Sequence, residues 1–316
     1  MESCREINDV RPSSIRHIVG QSGVVKQVSV ALDAAFADAR RFDSALLVGP
    51  PGVGKSALAA VIAQEMASDF HEVLGQSIRT PADLNALLLA AKDKSVIHID
   101  EAHELKREYQ TALYLATDKQ TLVVPSAAGA PPISLPLADF TLLLSSTDEF
   151  CLLQPLRDRM KLLLRFDFYT PDELAMVVVQ RAKGLGWDVE ETAFPMIAAR
   201  ARGTPRLALR LLQAARRVCR SKGEQTITLA HLTTACELEG IDALGLGPTE
   251  QKYLAIVAHG PTRLNVIAST LGLPTRTVSQ VTEQFLVRAG LVMKDDQGRR
   301  QLTQQGREHV QQLSNS

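Results

Sequence analysis

One octet, Gly49-Pro50-Pro51-Gly52-Val53-Gly54-Lys55-Ser56, limits what this chain can fold into more than any other stretch. It matches G-x-x-x-x-G-K-[ST]. The apolar segment Ala45–Val48 precedes it and a helix-forming run over residues 57–66 follows. Strand, glycine loop and helix in that order are the setting in which this pattern carries chemistry. The glycines let backbone N–H groups converge on phosphate oxygens, and the start of the helix adds the positive end of its dipole. Gly49, Pro50, Pro51, Gly52, Val53, Gly54, Lys55 and Ser56 are therefore the expected ATP-binding loop. Lys55 should reach the β- and γ-phosphates, and Ser56 should ligate Mg2+.

A phosphate loop needs a sheet to hold it. Short apolar strand candidates at 45–48, 95–99, 141–144 and 162–166 alternate with helical segments, which predicts βαβ units and a mainly parallel sheet. The second of these ends in Asp100-Glu101. Asp100 is the expected partner of Mg2+, and Glu101 is placed to orient and polarise an attacking water. Asp100-Glu101-Ala102-His103 also spells a DEAH box, which suggests a two-domain helicase. No second parallel sheet is predicted beyond residue 170, which argues against that reading.

Further polar groups fit a nucleotide site less specifically. Thr147 ends the strand candidate beginning at 141 and could feel a γ-phosphate, although a hydroxyl there is commonly a turn residue. Arg157 and Arg159 flank Asp158 on a short exposed helix. They fit an arginine finger for a neighbouring subunit or a plain surface ion pair. Arg206 falls in the first turn of a helix, where the dipole disfavours a cation unless an anion sits nearby.

Lys+Arg and Asp+Glu number 35 each, so no global charge marks a polyanion partner. The four scattered cysteines, Cys4, Cys151, Cys219 and Cys236, lack metal-ligand spacing and fit a reducing cytosol. No apolar run approaches the ~18 residues of a membrane span, so a soluble, cytoplasmic protein is expected, without a membrane partner. Residues 1–15 read as a loose arm. The spacing of Val25, Val28, Val30, Leu32 and Phe36 predicts an amphipathic helix over 24–40. Thr170, Pro171 and Glu173 form a capping-box signature that opens an all-helical region. Three domains follow: an α/β nucleotide-binding domain at 1–170, a helical lid at 171–243 and a winged helix at 244–316. In the last, 249–259, 264–271 and 275–287 read as helices, and 291–293 can pair with 301–303 as a wing. Residues 245–316 hold eight Lys/Arg and five Asp/Glu. Arg276, at the start of the recognition helix, and Arg299 and Arg300, at the wing, are the expected DNA phosphate contacts. A winged helix used for protein contact is the alternative.

GPPGVGKS, HIDEAH, FTLLLSSTD, PLRDR, FDFYTPDEL and RGTPRLALRLL, in this order and spacing, resemble the RuvB family of AAA+ ATPases, bacterial motors of Holliday-junction branch migration. The resemblance begins at Arg11-Pro12 and Val19-Gly20-Gln21 and covers nearly the whole chain. It implies that Ile18, Val19 and Tyr169 flank adenine and that Thr147 is a first sensor. It further implies that Arg159 is a finger acting in trans and Arg206 a second sensor acting in cis. A hexameric ring around duplex or four-way-junction DNA and a RuvA-like partner are implied as well. The chain departs from the family in three places. Leu144-Ser145-Ser146-Thr147-Asp148 stands where G-A-T-T-R is usual, and Arg157-Asp158-Arg159-Met160-Lys161 where R-D-R-F-G is usual. The segment that would dock RuvA, 121–142, keeps its length, but Pro125-Ser126-Ala127-Ala128-Gly129-Ala130-Pro131-Pro132 carries no basic residue. Two further readings therefore stand beside a branch-migration ATPase. One is a related ATPase remodelling DNA or protein–DNA complexes without RuvA. The other is an ATP-binding regulator with little turnover.

Overall fold

A computed structural model describes Ile7, residues 10–124 and residues 133–315. Cys4 and the stretch from Pro125 to Pro132 lie outside the described residues. The chain divides into two compact units, Met1–Gly186 with Gly203–Arg206, and Trp187–Arg202 with Leu207–Ser316.

In the first unit the helices are α1 (Ser22–Ala37), α2 (Lys55–Glu65), α3 (Pro81–Ala90), α4 (Arg107–Lys119), α5 (Gln154–Arg157) and α6 (Pro171–Leu185). The strands are β1 (Ala45–Val48), β2 (Phe70–Leu74), β3 (Val96–Asp100), β4 (Thr121–Val124), β5 (Ile133–Pro136), β6 (Thr141–Ser146) and β7 (Leu162–Arg165). Five of these form one sheet in the order β2-β3-β6-β1-β7, with every pairing parallel. Its central strands are apolar because helices cover both faces. Leu46, Ile97, Ile99, Leu142 and Leu144 share a core with Leu84 and Leu88 of α3 and Leu113 and Ala116 of α4. α2 packs on β3 and β6, and α1 on β7 and α2.

Two expectations are corrected here. The buried face of α1 is Val24, Val28, Ala31, Leu32 and Ala35, whereas Val30 and Phe36 are 62% and 54% exposed. Ala31 and Ala35 complete this face beside Val24, Val28 and Leu32, so apolar spacing alone misplaces Val30 and Phe36. Strand β2 was not among the expected strands. It is an edge strand whose His71 and Glu72 break the apolar signal. β4 and β5 form an antiparallel hairpin with Leu122 opposite Leu135, within the segment 121–142.

The second unit carries α7 (Ala193–Arg200), most of α8 (Pro205–Ser221), α9 (Leu229–Glu239), α10 (Pro248–Ala258) and α11 (Leu264–Leu271). A recognition helix follows, formed by α12 (Thr275–Thr277), one π-helical turn (Val278–Thr282) and α13 (Glu283–Arg288). β8 (Val292–Lys294) and β9 (Arg300–Leu302) form the wing, and α14 (Gln304–Asn315) closes the unit. α14 was not expected, because its sequence is nearly all polar. It is tied down by Val310, packed on the core, and by His309, whose Nε2 lies 2.8 Å from Asp242 Oδ2. The expected helix-turn-helix and wing are present, with the wing strands shifted by one residue. The capping box of Thr170 and Glu173 closes both ways at the start of α6. Among the described residues no helix is long and apolar enough to cross a membrane.

The wing changes the reading of Arg300. Its side chain is 12% exposed, and its guanidinium donates to both oxygens of Glu283 at 2.7 and 3.1 Å. Glu283 is 3% exposed and also accepts from the Tyr253 hydroxyl at 2.9 Å, with Lys294 Nζ at 3.3 Å. Arg300 clamps β9 to α13 and is not free for a phosphate, contrary to expectation. Burial pushes the Glu283 carboxyl up, but its bonds to Arg300 and Tyr253 outweigh this and hold it below the usual range. A depressed carboxylate stabilises the fold above its ordinary pKa of ~4.3, and that contribution is lost as pH falls through the folded value. Arg300→Ala leaves the buried carboxylate with only Tyr253 and Lys294 and is expected to cost about 1–3 kcal/mol at pH 7. Urea unfolding at pH 7 and in acid checks this: the deficit should be present at pH 7 and shrink in acid. Equal stability at pH 7 would refute the clamp.

Candidate nucleotide-binding site

Parallel pairing aligns the C-terminal ends of β1, β3 and β6, with Val48 opposite Ser146 and Ile99 opposite Leu144. The phosphate loop, the acidic turn and the hydroxyl turn therefore leave the sheet at one edge. Gly52 and Gly54 have φ of 79° and 101°, which side chains rarely adopt. A Cβ on Gly52 would come within 2.9 Å of Arg206 Cβ. α2 begins at Lys55, so the loop ends on a helix N-terminus. Lys55 Nζ donates to the carbonyls of Gly49 at 2.8 Å and Pro50 at 2.9 Å. Burial pushes its ammonium below the ordinary value, against the pull of Glu101 and Asp100, and Arg206 lowers it further. An arriving phosphate would reverse that cost.

Ser56 Oγ donates to Asp100 Oδ2 at 2.8 Å. A hydroxyl and a carboxylate that already touch are hard oxygen donors of the kind Mg2+ takes, so these residues fit that ion. Glu101 has φ 50° and ψ 48°, an uncommon conformation for a residue with a side chain. Backbone strain of this kind concentrates at functional sites. Its carbonyl presses on Gly75 so closely that a Cβ there would lie 2.5 Å away. The sheet-edge loop thus needs glycine to reach the acidic turn.

The residues expected to flank adenine lie around Gly20 and Tyr169. Tyr169 is buried, and its hydroxyl would lie 3.8 Å from a Cβ on Gly54. Burial raises its phenol to about 12. Gly20 packs on Tyr169 and Glu173. Gln21 donates to the Asp167 carbonyl at 2.7 Å and accepts from the Asp167 amide. Ile18 and Val19 directly precede this glycine and are half-buried. Arg206 is exposed beside the loop, its amide donating to the Gly52 carbonyl at 3.3 Å.

Thr147 is exposed and lies one residue beyond β6. Asp148, the reversed charge next to it, caps the following turn by accepting from Phe150 N at 3.0 Å and from Cys151 Sγ at 3.1 Å. Met160 joins the core and Lys161 pairs with Asp43 at 3.0 Å, so the departures from the family pattern have local structural roles. Arg159, just beyond α5, packs against α4, where Asp118 is 3.4 Å away. Arg157 lies over the Phe150 ring at 5.4 Å.

Two histidines were missed as site residues. His103 Nδ1 sits 3.1 Å from Ser146 Oγ and 3.4 Å from Glu101 Oε2, bridging the acidic and hydroxyl turns. His98 is fully buried between Glu72 of β2, at 3.2 Å, and Ser145 of β6, at 2.8 Å. Burial lowers its pKa. The signal for both lay in the apolar strand's own text, a polar residue inside VIHID and another just after it.

Three family models cover the chain. The Holliday junction DNA helicase RuvB P-loop domain matches residues 10–166, the RuvB AAA lid domain 169–242, and the RuvB C-terminal winged helix domain 243–311. This chain belongs to the RuvB family. The Holliday junction branch migration complex subunit RuvB of Kosmotoga olearia is 34% identical over 296 residues, 92% of this chain and 86% of that protein. The same subunit of Fervidobacterium nodosum is 32% identical over an equal span, 85% of that protein. The solved Thermotoga maritima RuvB Holliday junction branch migration motor aligns with TM-score 0.82 and 33% identity over 95% of this chain and 98% of that one. A point mutant of that protein reaches 0.84, at 32% identity over 96% and 99% of the two chains. Membership in the RuvB family thus joins a P-loop ATPase domain to a lid and a winged helix.

Lys55→Ala removes the cation from the phosphate cradle and should abolish nucleotide binding, measured by fluorescent-nucleotide titration. Glu101→Gln should bind ATP with near-wild-type affinity and lose hydrolysis by about 100-fold or more, in the range of a general-base loss. Normal turnover by Glu101→Gln would remove Glu101 from its assigned role.

Proposed function

We propose that this chain is an ATP-driven motor that moves four-way DNA junctions, acting as a hexameric ring in the cytoplasm. The observation that carries the reading is the convergence of Lys55, Ser56, Asp100, Glu101 and Arg206 at one sheet edge, in a chain that also bears a winged helix. Gly49 to Ser56 cradle the phosphates, and Ile18, Val19 and Tyr169 hold the base. Glu101 accepts a hydrogen bond from the attacking water and aligns it with the γ-phosphate. Ser56 and Asp100 would hold Mg2+, which supplies charge neutralisation on the phosphate oxygens. Arg206 approaches the same nucleotide from the start of α8, and Thr147 senses its γ-phosphate. Arg159, held against α4, completes the site of a neighbouring copy.

The junction reading is supported by the chain's likeness to Holliday junction branch migration subunits. A RuvA-like partner would dock on the β4–β5 hairpin, whose Val123 and Ile133 are exposed. Pro125 to Pro132, without a basic residue, favours a second reading in which the motor works without RuvA.

A labelled synthetic four-way junction, incubated with the protein and ATP, tests the proposal. Expected are branch-migrated duplex products with ATP and none with Glu101→Gln. A RuvA-dependent yield supports the complex and a RuvA-independent yield the second reading. ATP turnover with no effect on the junction would overturn both.

For DNA contact, Arg276 and Arg299 remain the candidates. Arg276 is exposed and donates to Gln280 at 3.0 Å, and Arg299 reaches Asp295 at 2.8 Å on the wing. Replacing both by Ala should weaken duplex binding irrespective of sequence and flatten the log–log salt slope by about 2. Unchanged affinity and slope would assign this surface to protein contact.

A further inference from the structure

α4 begins just after the acidic turn, and its last two turns face the segment carrying Arg159. Side chains from Gln110 to Asp118 meet that segment. Gln110 is buried: its Nε2 donates to the Leu105 carbonyl at 3.0 Å, and its Oε1 accepts from Leu153 N at 2.7 Å. The start of α5 is thereby pinned to α4. Leu113 and Ala116 of α4 share one core with Leu156 and Met160. Tyr114 and Asp118, four residues apart, lie on one face. Arg159 places its guanidinium 5.6 Å from the centre of the Tyr114 ring, and its Nη2 lies 3.4 Å from Asp118 Oδ2. Arg159 Nη1 also donates to the Pro155 carbonyl at 3.4 Å.

An arginine has five N–H donors, and these contacts leave several for phosphate oxygens. The Arg159–Asp118 pair is exposed, and such pairs add little to stability. Its consequence lies elsewhere. A long side chain that must act on another subunit's nucleotide loses rotamer freedom when it does so, and holding it beforehand reduces that loss.

We propose that Tyr114 and Asp118 are positioning residues that hold Arg159 ready for a neighbouring copy's nucleotide. The inference rests on the reading of Arg159 as a finger acting in trans. It excludes a role for Tyr114 or Asp118 in the nucleotide site of their own subunit.

Tyr114→Ala and Asp118→Ala should each lower kcat for ATP about threefold, and the pair roughly tenfold, with KM for ATP unchanged. Asp118→Glu and Tyr114→Phe keep the charge and the ring and should restore most of the rate. The deciding measurement mixes each variant with Glu101→Gln subunits. The Asp118→Ala/Tyr114→Ala double variant keeps an intact Glu101, and the Glu101→Gln subunit keeps an intact, held Arg159. Interfaces joining the two should recover hydrolysis, as should mixtures of Arg159→Ala with Glu101→Gln. Recovery with Arg159→Ala but not with the double variant would overturn the positioning role, because the defect would then lie in the variant's own site. Recovery with neither would overturn the finger reading itself, and the positioning role with it. Melting temperature and assembly by light scattering, expected unchanged, separate positioning from misfolding. A fall in either that tracks the lost rate would also count against the proposal.

Discussion

Parallel pairing of β3, β6 and β1 is the constraint on which the site depends. Parallel strands all end on the same side, so Asp100, Ser146 and Gly49 leave the sheet together although 97 residues of sequence separate the outermost two. The contact between Ser56 and Asp100 follows from that arrangement, as does the reach of His103 to both Glu101 and Ser146. The edge strand β2 adds Glu72 to the buried His98 and Gly75 beneath the Glu101 carbonyl, so even the strand with the weakest apolar signal shapes the acidic turn.

The phosphate loop and the acidic strand end could be read directly from the sequence because their chemistry demands particular residues at fixed spacing. Capping at Thr170 was legible for the same reason, and the helix-turn-helix through its periodicity and Gly272. What could not be read depended on partners distant in sequence. Arg300 looks like any wing arginine until Glu283, 17 residues earlier, is seen to occupy it. α14 shows almost no apolar stripe and is held by His309 and Val310. α1 hides its packed face behind alanines. In sequence, Arg159 fitted either a finger or a plain surface ion pair, and Arg206 was marked only by a cation's place in a helix's first turn. The fold sets Arg206 against Gly52 and Arg159 against α4, which gives the two cations distinct environments.

That division has a mechanistic meaning. The groups proposed to bind, polarise and sense ATP gather at the sheet edge, whereas Arg159 packs against α4 beside Tyr114 and Asp118. On the proposed reading, a protomer holds most of a hydrolytic site and offers Arg159 as the remaining cation to a neighbour. In the proposed ring, assembly would control chemistry, since the charge that develops on the transferring phosphoryl group would be stabilised fully only when a neighbour supplies Arg159.

ATP hydrolysis per protomer, measured over a dilution series spanning dissociation while assembly is followed by light scattering, tests this most directly. The account predicts a rate near zero for monomers, rising in step with assembly to a plateau, while nucleotide binding per protomer stays constant. A rate per protomer that stays at the plateau value in fully dissociated protein would contradict it, because the site would then be complete within one chain.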